Sequence, residues 1–426
     1  MSTIHVVGAG MSGLACAVRC AGTGRTVAVY EAAPRAGGRC RSFLDEGLGC
    51  MIDNGSHLLL GANRNTKSYL ERIGSQDRVT EISPAAFPFR DARTGAEWTL
   101  KPGSPWLPLW LLDPGRRVPG SSPRDYLKAL RLKRAGLNDT VADCVGEDDP
   151  LMEGFWQPLS QAILNTDARE ASAALLWKAL SLSFLKGEAA CRPVVFSKDI
   201  SAALVDPAIK YLEERDAVVR FQARMRGLRW QDDSVLALRF QEGLLRVGSE
   251  DAVVLAVPPD TCAEIWPDAN PPLEARPIVN LHFKLDRPIE LPGGLPFLGL
   301  IGCDAQWLFV RGNILSVTIS SATDHVDRPN FELANHIWDE ITRTLSLHMG
   351  RLPPWRVIKE KRATIAQTPS AVAQRPRTRT DLKNLFLAGD WTATGLPATI
   401  EGSITSGFTA ARQALAATSR SKENED

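Results

Sequence analysis

Apolar positions near the N-terminus come as two short β-rich runs around a helical one. Residues 4–7 (IHVV) form the first run. Residues 14–21 follow with apolar positions at helical spacing, and "RTVAVYE" reads as a second strand ending at Glu31. From about residue 80 to 204 the pattern is mostly helical, with Pro-rich interruptions. There "DYLKALRLKRAGL" pairs an apolar stripe with a basic face, and "EASAALLWKALSLSFLKGEAACRP" predicts a largely buried helix. "AVVRFQARMRGL" then reads as two short strands with a turn. Residues 252–257 form an apolar strand stopped by Pro258 and Pro259. Between residues 276 and 357 strands prevail. "IVNLHFKLD" alternates, with Val279, Leu281, Phe283 and Leu285 on one face and Asn280, His282 and Lys284 on the other. "QWLFVRGNILSVTIS" predicts a hairpin turning at Gly312-Asn313, and "FELANHIWDEITRTL" an amphipathic helix. Residues 385–388 read as a buried strand, 395–402 open a helix, and the polar tail "TSRSKENED" predicts disorder.

A chain of 426 residues exceeds one ordinary core, so two or three domains are expected. Hydrophobic residues at 44% and charged residues at 23% give a soluble globular profile. The net charge of +1 provides no global field for nucleic acid. Eight scattered cysteines without a C-x-x-C pair suit a reducing compartment with buried thiols rather than a disulfide frame or zinc site. The N-terminus lacks a basic segment leading into an apolar one, and no apolar run approaches a membrane span. A cytoplasmic enzyme is therefore expected.

The chemistry begins at "GAGMSG", where Gly8, Gly10 and Gly13 fit G-x-G-x-x-G around Met11 and Ser12. Strand, glycines, helix, strand and acid together make the βαβ dinucleotide fingerprint. The glycines let the backbone approach a pyrophosphate at a helix N-terminus, and Glu31 stands where a carboxylate takes ribose hydroxyls. "EAAPRAGGRCRS" follows at once, with Arg35, Gly37, Gly38, Arg39 and Arg41. This second glycine-backed anion cradle resembles the second FAD signature of the flavin amine oxidase superfamily.

Next, "MIDNGSHLLLGAN" sets Asp53, Asn54, Ser56 and His57 against three leucines. A metal, a catalytic site or a turn would each explain it. Ligands for a metal are lacking, because zinc needs three or four and no further His or Cys lies at ligand spacing. His57 is the best proton donor by its ordinary pKa, with Asp53 to orient or recharge it; an Asx-type turn is the plain alternative. His282 is a second candidate, for which an exposed strand face is the preferred reading. "SPWLPLWLLDPGRRVP" gathers Trp106, Trp110 and several leucines beside Arg116 and Arg117, which suits an interfacial anchor or a buried wall.

These stretches, with "NLFLAGDWTATGLPATIEGSITSG", "LPPWRVIKEKRAT" and "QWLFVRG", resemble the squalene-associated FAD-dependent desaturase family over all but the tail. Its members are described as hydroxysqualene dehydroxylases. The chain departs from the family at Ser56, where Asn is usual. The resemblance implies an α/β fold: a Rossmann-type FAD/NAD(P)-binding domain, flavin amine oxidase and glutathione-reductase-like, with a discontinuous α+β substrate domain. FAD-binding segments are expected at 1–79, 205–265 and 381–418. Substrate segments are expected at 80–204 (mainly helical) and 266–380 (sheet-containing), before a disordered tail at 419–426.

The resemblance further places Asn54 and Gly55 beside the flavin and the Met225 backbone at the adenine. Gly389 and Asp390 fall near the pyrophosphate and ribityl chain, and the amides near Thr399, Ile400 and Glu401 at the pyrimidine edge. The implied reaction is reduction of an allylic alcohol, hydroxysqualene, to squalene. An acid is needed, with aromatic walls that tolerate a cation. Among 11 Trp, the lining candidates are Trp106, Trp110, Trp307 and Trp391, with His282. With one G-x-G-x-x-G committed to FAD, electrons are expected from NAD(P)H in a transient encounter or from a carrier. Contacts with the upstream synthase and with the inner membrane face also belong to this expectation. A carotenoid-type desaturase and a non-enzymatic prenyl-lipid carrier are the alternatives.

Overall fold

The β-branched run Thr3–Val7 is buried on both sides, as a central parallel strand must be. In the computed structural model, which describes residues 2–103, 109–347 and 351–420, it is the middle of five parallel strands. Their order is Val218–Arg220, Thr26–Tyr30, Thr3–Val7, Ala252–Leu255 and Leu385–Leu387. The sheet thus draws on the beginning, middle and end of the chain. Alternate residues feed two cores. Ile4, Val6, Val29 and Val254 meet the helices Met11–Cys20 and Ile400–Arg420. Val7, Tyr30, Val253 and Leu255 meet a three-stranded antiparallel sheet that begins with Met225–Gln231. The two helices touch closely because position 407 is Gly: a Cβ there would lie 2.2 Å from the Ser12 carbonyl.

A second sheet has seven strands, ordered Trp355–Ile365, Ala275–Lys284, Ile314–Ile319, Trp307–Arg311, Phe297–Ile301, Phe87–Asp91 and Glu97–Leu100. Arg311 pairs with Ile314, so the hairpin turns at Gly312-Asn313 as its sequence predicts. One face is apolar over the central strands and lies under the helix Asn330–Leu345. The other changes character across its width. Phe87, Phe89 and Phe297 join a helical layer at one end, while Asn280, His282, Ser316 and Thr318 lie on the central strands.

Within the mainly helical stretch 80–204, Phe87–Asp91 and Glu97–Leu100 extend the second sheet. "FPFRDARTGAEWTL" alternates, and Gly95 at φ +73° permits the turn. The last helix also runs further than the polar tail suggests. Arg25 donates to the Thr418 hydroxyl at 3.2 Å, while residues 421–426 lie outside the described residues. No helix among the described residues is long and apolar enough to cross a membrane.

Candidate active site

The G-x-G-x-x-G turn is shaped from within. Gly8, at φ +103°, would place a Cβ 2.3 Å from the Ala256 carbonyl, and Gly13 would place one 1.9 Å from that of Gly8. A Cβ on Gly10 would meet nothing within 4 Å, so this glycine opens onto free space. The helix that starts at Met11 has no side-chain cap and no acid in its first turn, leaving its amides free for an anion. Glu31 accepts from the Ala9 amide (2.7 Å) and the Ala33 amide (2.8 Å), which fixes its carboxylate at the mouth of the turn. The Gly37 amide donates to Ala9, and Gly38 (φ +57°) sits against Gly10. An open backbone concavity, an uncapped helix and a carboxylate are what the diphosphate and ribose of FAD require, so these residues fit that group.

The remaining nucleotide candidates gather around this turn to different degrees. Arg39 places one nitrogen 2.8 Å from both Asp390 oxygens and also reaches the Ala363 carbonyl. Asn54 donates to the Arg39 carbonyl (3.2 Å), and Arg41 to that of Gly38 (2.6 Å). Met225 is buried just after Ala223, whose amide bonds Glu31. Gly389 donates to Ser406, and Thr399 caps its helix by accepting from Gly402 (3.2 Å). Arg35 is exposed. The Glu401 carboxylate turns elsewhere, accepting from the Asn65 and Thr66 amides at the start of the helix Arg64–Arg72. At 399–401 it is the backbone amides that, among the described residues, face no such partner and can serve a cofactor, while the Thr399 carbonyl accepts from Ser403 (2.8 Å). Sequence reasoning missed Arg375. This buried guanidinium donates to Leu396 (2.7 Å) and Gln367 (3.2 Å), and burial pushes it down to about 10. Nothing in its local spacing marks it; only the fold brings it to the turn before the last helix.

Asp53 and His57 are close but not hydrogen-bonded. The Asp53 carboxylate accepts from the Ser42 hydroxyl (2.6 Å), the Ile200 amide (3.0 Å) and Arg311 (2.6 Å). It is therefore committed elsewhere, and His57 has no hydrogen-bond partner among the described residues. Burial lowers the His57 pKa, the Asp53 charge raises it and the Arg39 charge lowers it. His282 does not lie on an exposed face: it is 1% exposed, 2.8 Å from Ser316. Burial pushes it down to about 4 against the pull of Asp53. Its strand is fastened to the 48–55 segment by Asn280, which donates to Asn54 (3.2 Å), and by Lys284, which donates to Leu48 (2.7 Å). That second contact set explains why the strand's polar face is buried.

The three leucines part ways. Leu59 enters the nucleotide-side core, whereas Leu58 and Leu60 pack on the helical cluster with Trp177, Phe184, Trp307 and Phe309. Trp307 lies edge-on to Phe89 at 5.5 Å and is partly open. Trp391 is not a wall residue. It is buried under the parallel sheet, donating to the Val257 carbonyl, and is held there because Gly389 leaves room. Trp110 and Leu111 are buried, as a wall residue would be, while Leu109 and Leu112 are exposed. Trp106 lies outside the described residues.

A cleft of about 960 Å³ beside Trp307 is lined largely by polar and charged groups such as Arg93, Asp167, Arg276 and Asp304, and does not suit a hydrocarbon. At its edge His336 meets Asp304 (2.8 Å), and Glu340 accepts from the Asp304 and Ala305 amides. These groups satisfy one another as a clamp between turn and helix.

The family model described as flavin containing amine oxidoreductase matches residues 11–415. A hydroxysqualene dehydroxylase of Rhodopseudomonas palustris is 45% identical, over 97% of this chain and 99% of that protein. One from Sinorhizobium fredii is 42% identical, with the same coverage of both chains. A double mutant of putrescine oxidase has a TM-score of 0.72 at 15% identity, over 97% of this chain and 99% of that one, a likeness of fold alone.

Proposed function

Because the chain belongs to the flavin-containing amine oxidoreductases, and within them to the hydroxysqualene dehydroxylases, we propose that it converts hydroxysqualene to squalene. The observation that carries this reading is identity of 38–45% over 97% of the chain to three proteins of that name. It is an FAD-dependent oxidoreductase. When bound and reduced, FAD supplies a hydride. Gly8, Gly10, Gly13, Glu31 and the Arg39–Asp390 pair would hold the nucleotide, with the backbone at Asn54, Gly55, Met225 and 399–401 around it.

The chain's own part is to move a proton and to keep water out. Hydroxide leaves an allylic carbon poorly; once protonated it leaves as water, and the carbon takes the hydride. His57 is the donor in this proposal. Its lowered pKa leaves the imidazolium a minority at neutral pH, and Asp53 supports that form through its charge rather than by contact. Leu58, Leu60, Trp307 and Phe309 form the apolar side where the chain of the substrate would lie, with aromatic faces toward a developing cation.

The division into FAD-binding and substrate segments given above belongs to the same proposal. So do supply of electrons by transient NAD(P)H or a carrier, and contact with the upstream synthase. The test is anaerobic incubation of the photoreduced holoenzyme with hydroxysqualene, followed by product analysis. Squalene is expected. Unchanged alcohol, or conversion only by oxidised enzyme to a more unsaturated product, would overturn the reading in favour of a carrier or a desaturase.

A further inference from the structure

We propose that the face carrying Leu109, Leu112, Leu127, Leu130 and Leu137 docks on the surface of an anionic phospholipid bilayer. Among the described residues, sixteen large apolar side chains are well exposed, and these five fall within 29 consecutive positions, 54% to 84% exposed. Single exposed leucines need no explanation; a concentration of this kind does. The elements that carry them are joined. Trp110, in the turn Leu109–Leu112, meets Tyr126 of the helix Pro123–Tyr126 edge-on at 6.1 Å. Leu109 and Leu112 are three apart, as are Leu127 and Leu130, so each pair shares a side of its helical turn.

Charge singles out the same stretch. Residues 101–137 hold eight Lys and Arg against two Asp, a balance of +6, while the whole chain stands at +1. Lys101, Arg124, Arg131, Lys133 and Arg134 are exposed among the leucines. Leucines that enter the acyl boundary, interleaved with cations that reach phosphates, are the pattern of an interfacial element. A lipid surface matches both halves of it. The patch is also the outer skin of a continuous apolar body: Trp110, Tyr126 and Leu132 belong to the cluster on which Leu58 and Leu60 pack beside His57. The argument rests on this surface and not on the dehydroxylase reading.

Flotation of the FAD-loaded protein with vesicles of phosphatidylcholine alone, and of phosphatidylcholine with phosphatidylglycerol, tests the proposal. Wild type is expected to float with the anionic vesicles and to be released by high salt. Removing three charges (R124Q/R131Q/R134Q) should weaken partitioning roughly a hundred-fold, at about five-fold per charge. The variant L109S/L112S/L127S/L130S should lose it. Both variants should keep the flavin spectrum, the melting temperature and turnover of detergent-dispersed substrate, which separates docking from catalysis. The proposal is overturned if wild type stays in the soluble fraction, or if either variant floats as well as wild type. It is also overturned if the leucine variant only abolishes self-association in sedimentation velocity, which would assign the face to a second copy of this chain.

Discussion

Arg311 closes on Asp53 with 2.6 Å between guanidinium nitrogen and carboxylate oxygen, across 258 positions of sequence. The pair ties the second sheet to the segment that leaves the FAD cradle. It also supplies the positive charge next to the one acid that influences His57.

Asp53→Asn removes that charge but keeps the shape. The amide cannot satisfy the Ser42 hydroxyl, the Ile200 amide and Arg311 together, so a cost of about 1–3 kcal/mol is expected. Thermal melting should show the loss. Without Asp53, His57 titrates lower still, and the pH profile of kcat/KM should move to more acidic values. An unchanged profile would remove the electrostatic link between the two residues.

His57 itself is tested by pH. Its folded pKa lies below the ordinary value, so the imidazolium needed for donation grows as pH falls through the neutral range. Single-turnover rates for wild type should rise toward acid pH. His57→Gln should lower the rate by about 10²–10⁴-fold and lose that acid limb. Full activity in the variant would place the proton elsewhere.

His282 predicts a stability effect. Its folded pKa of about 4 lies below the unfolded value of 6.5, so the unfolded chain binds the extra proton first. Stability is complete above pH 6.5 and falls between there and 4, by at most roughly 3 kcal/mol from this group. Chemical denaturation across that window should show the loss. His282→Gln should flatten it, whatever its effect at neutral pH.

The three glycines of the turn should behave differently. Gly8→Ala and Gly13→Ala put a methyl into the chain's own carbonyls and should damage folding. Gly10→Ala meets no protein atom, so the apoprotein should melt as wild type does. Its FAD affinity, read by fluorescence titration, should fall roughly ten- to a hundred-fold as the backbone is held off the diphosphate. Normal FAD binding in this variant would contradict the cradle.

What was legible in the sequence follows from locality. The Gly8–Gly13 turn, Glu31 and the Gly312-Asn313 hairpin depend on neighbours a few residues away, and their patterns carry the information. Asp53 and His57 are also neighbours, yet they make no hydrogen bond to each other. Asp53 is held by Ser42, Ile200 and Arg311, and two of these come from distant segments. The same blindness hid Arg375 and buried His282, whose polar strand face gains its partners only when residues 48–55 pack against it. Trp391 shows the converse. A tryptophan beside a cofactor motif invites a role at the substrate, but Gly389 makes room for it in a core.

The parallel sheet has a consequence for the protein's birth. Thr3–Val7 lies between Thr26–Tyr30 and Ala252–Leu255, with Leu385–Leu387 beyond, and leaves the ribosome before all three. At about 5–20 residues per second, roughly 20–75 s separate its emergence from that of the last strand. For much of that time a Val-rich edge waits without its neighbour, open to pairing with other chains. The order of synthesis therefore leaves the five-stranded sheet incomplete until Leu385–Leu387 has been made.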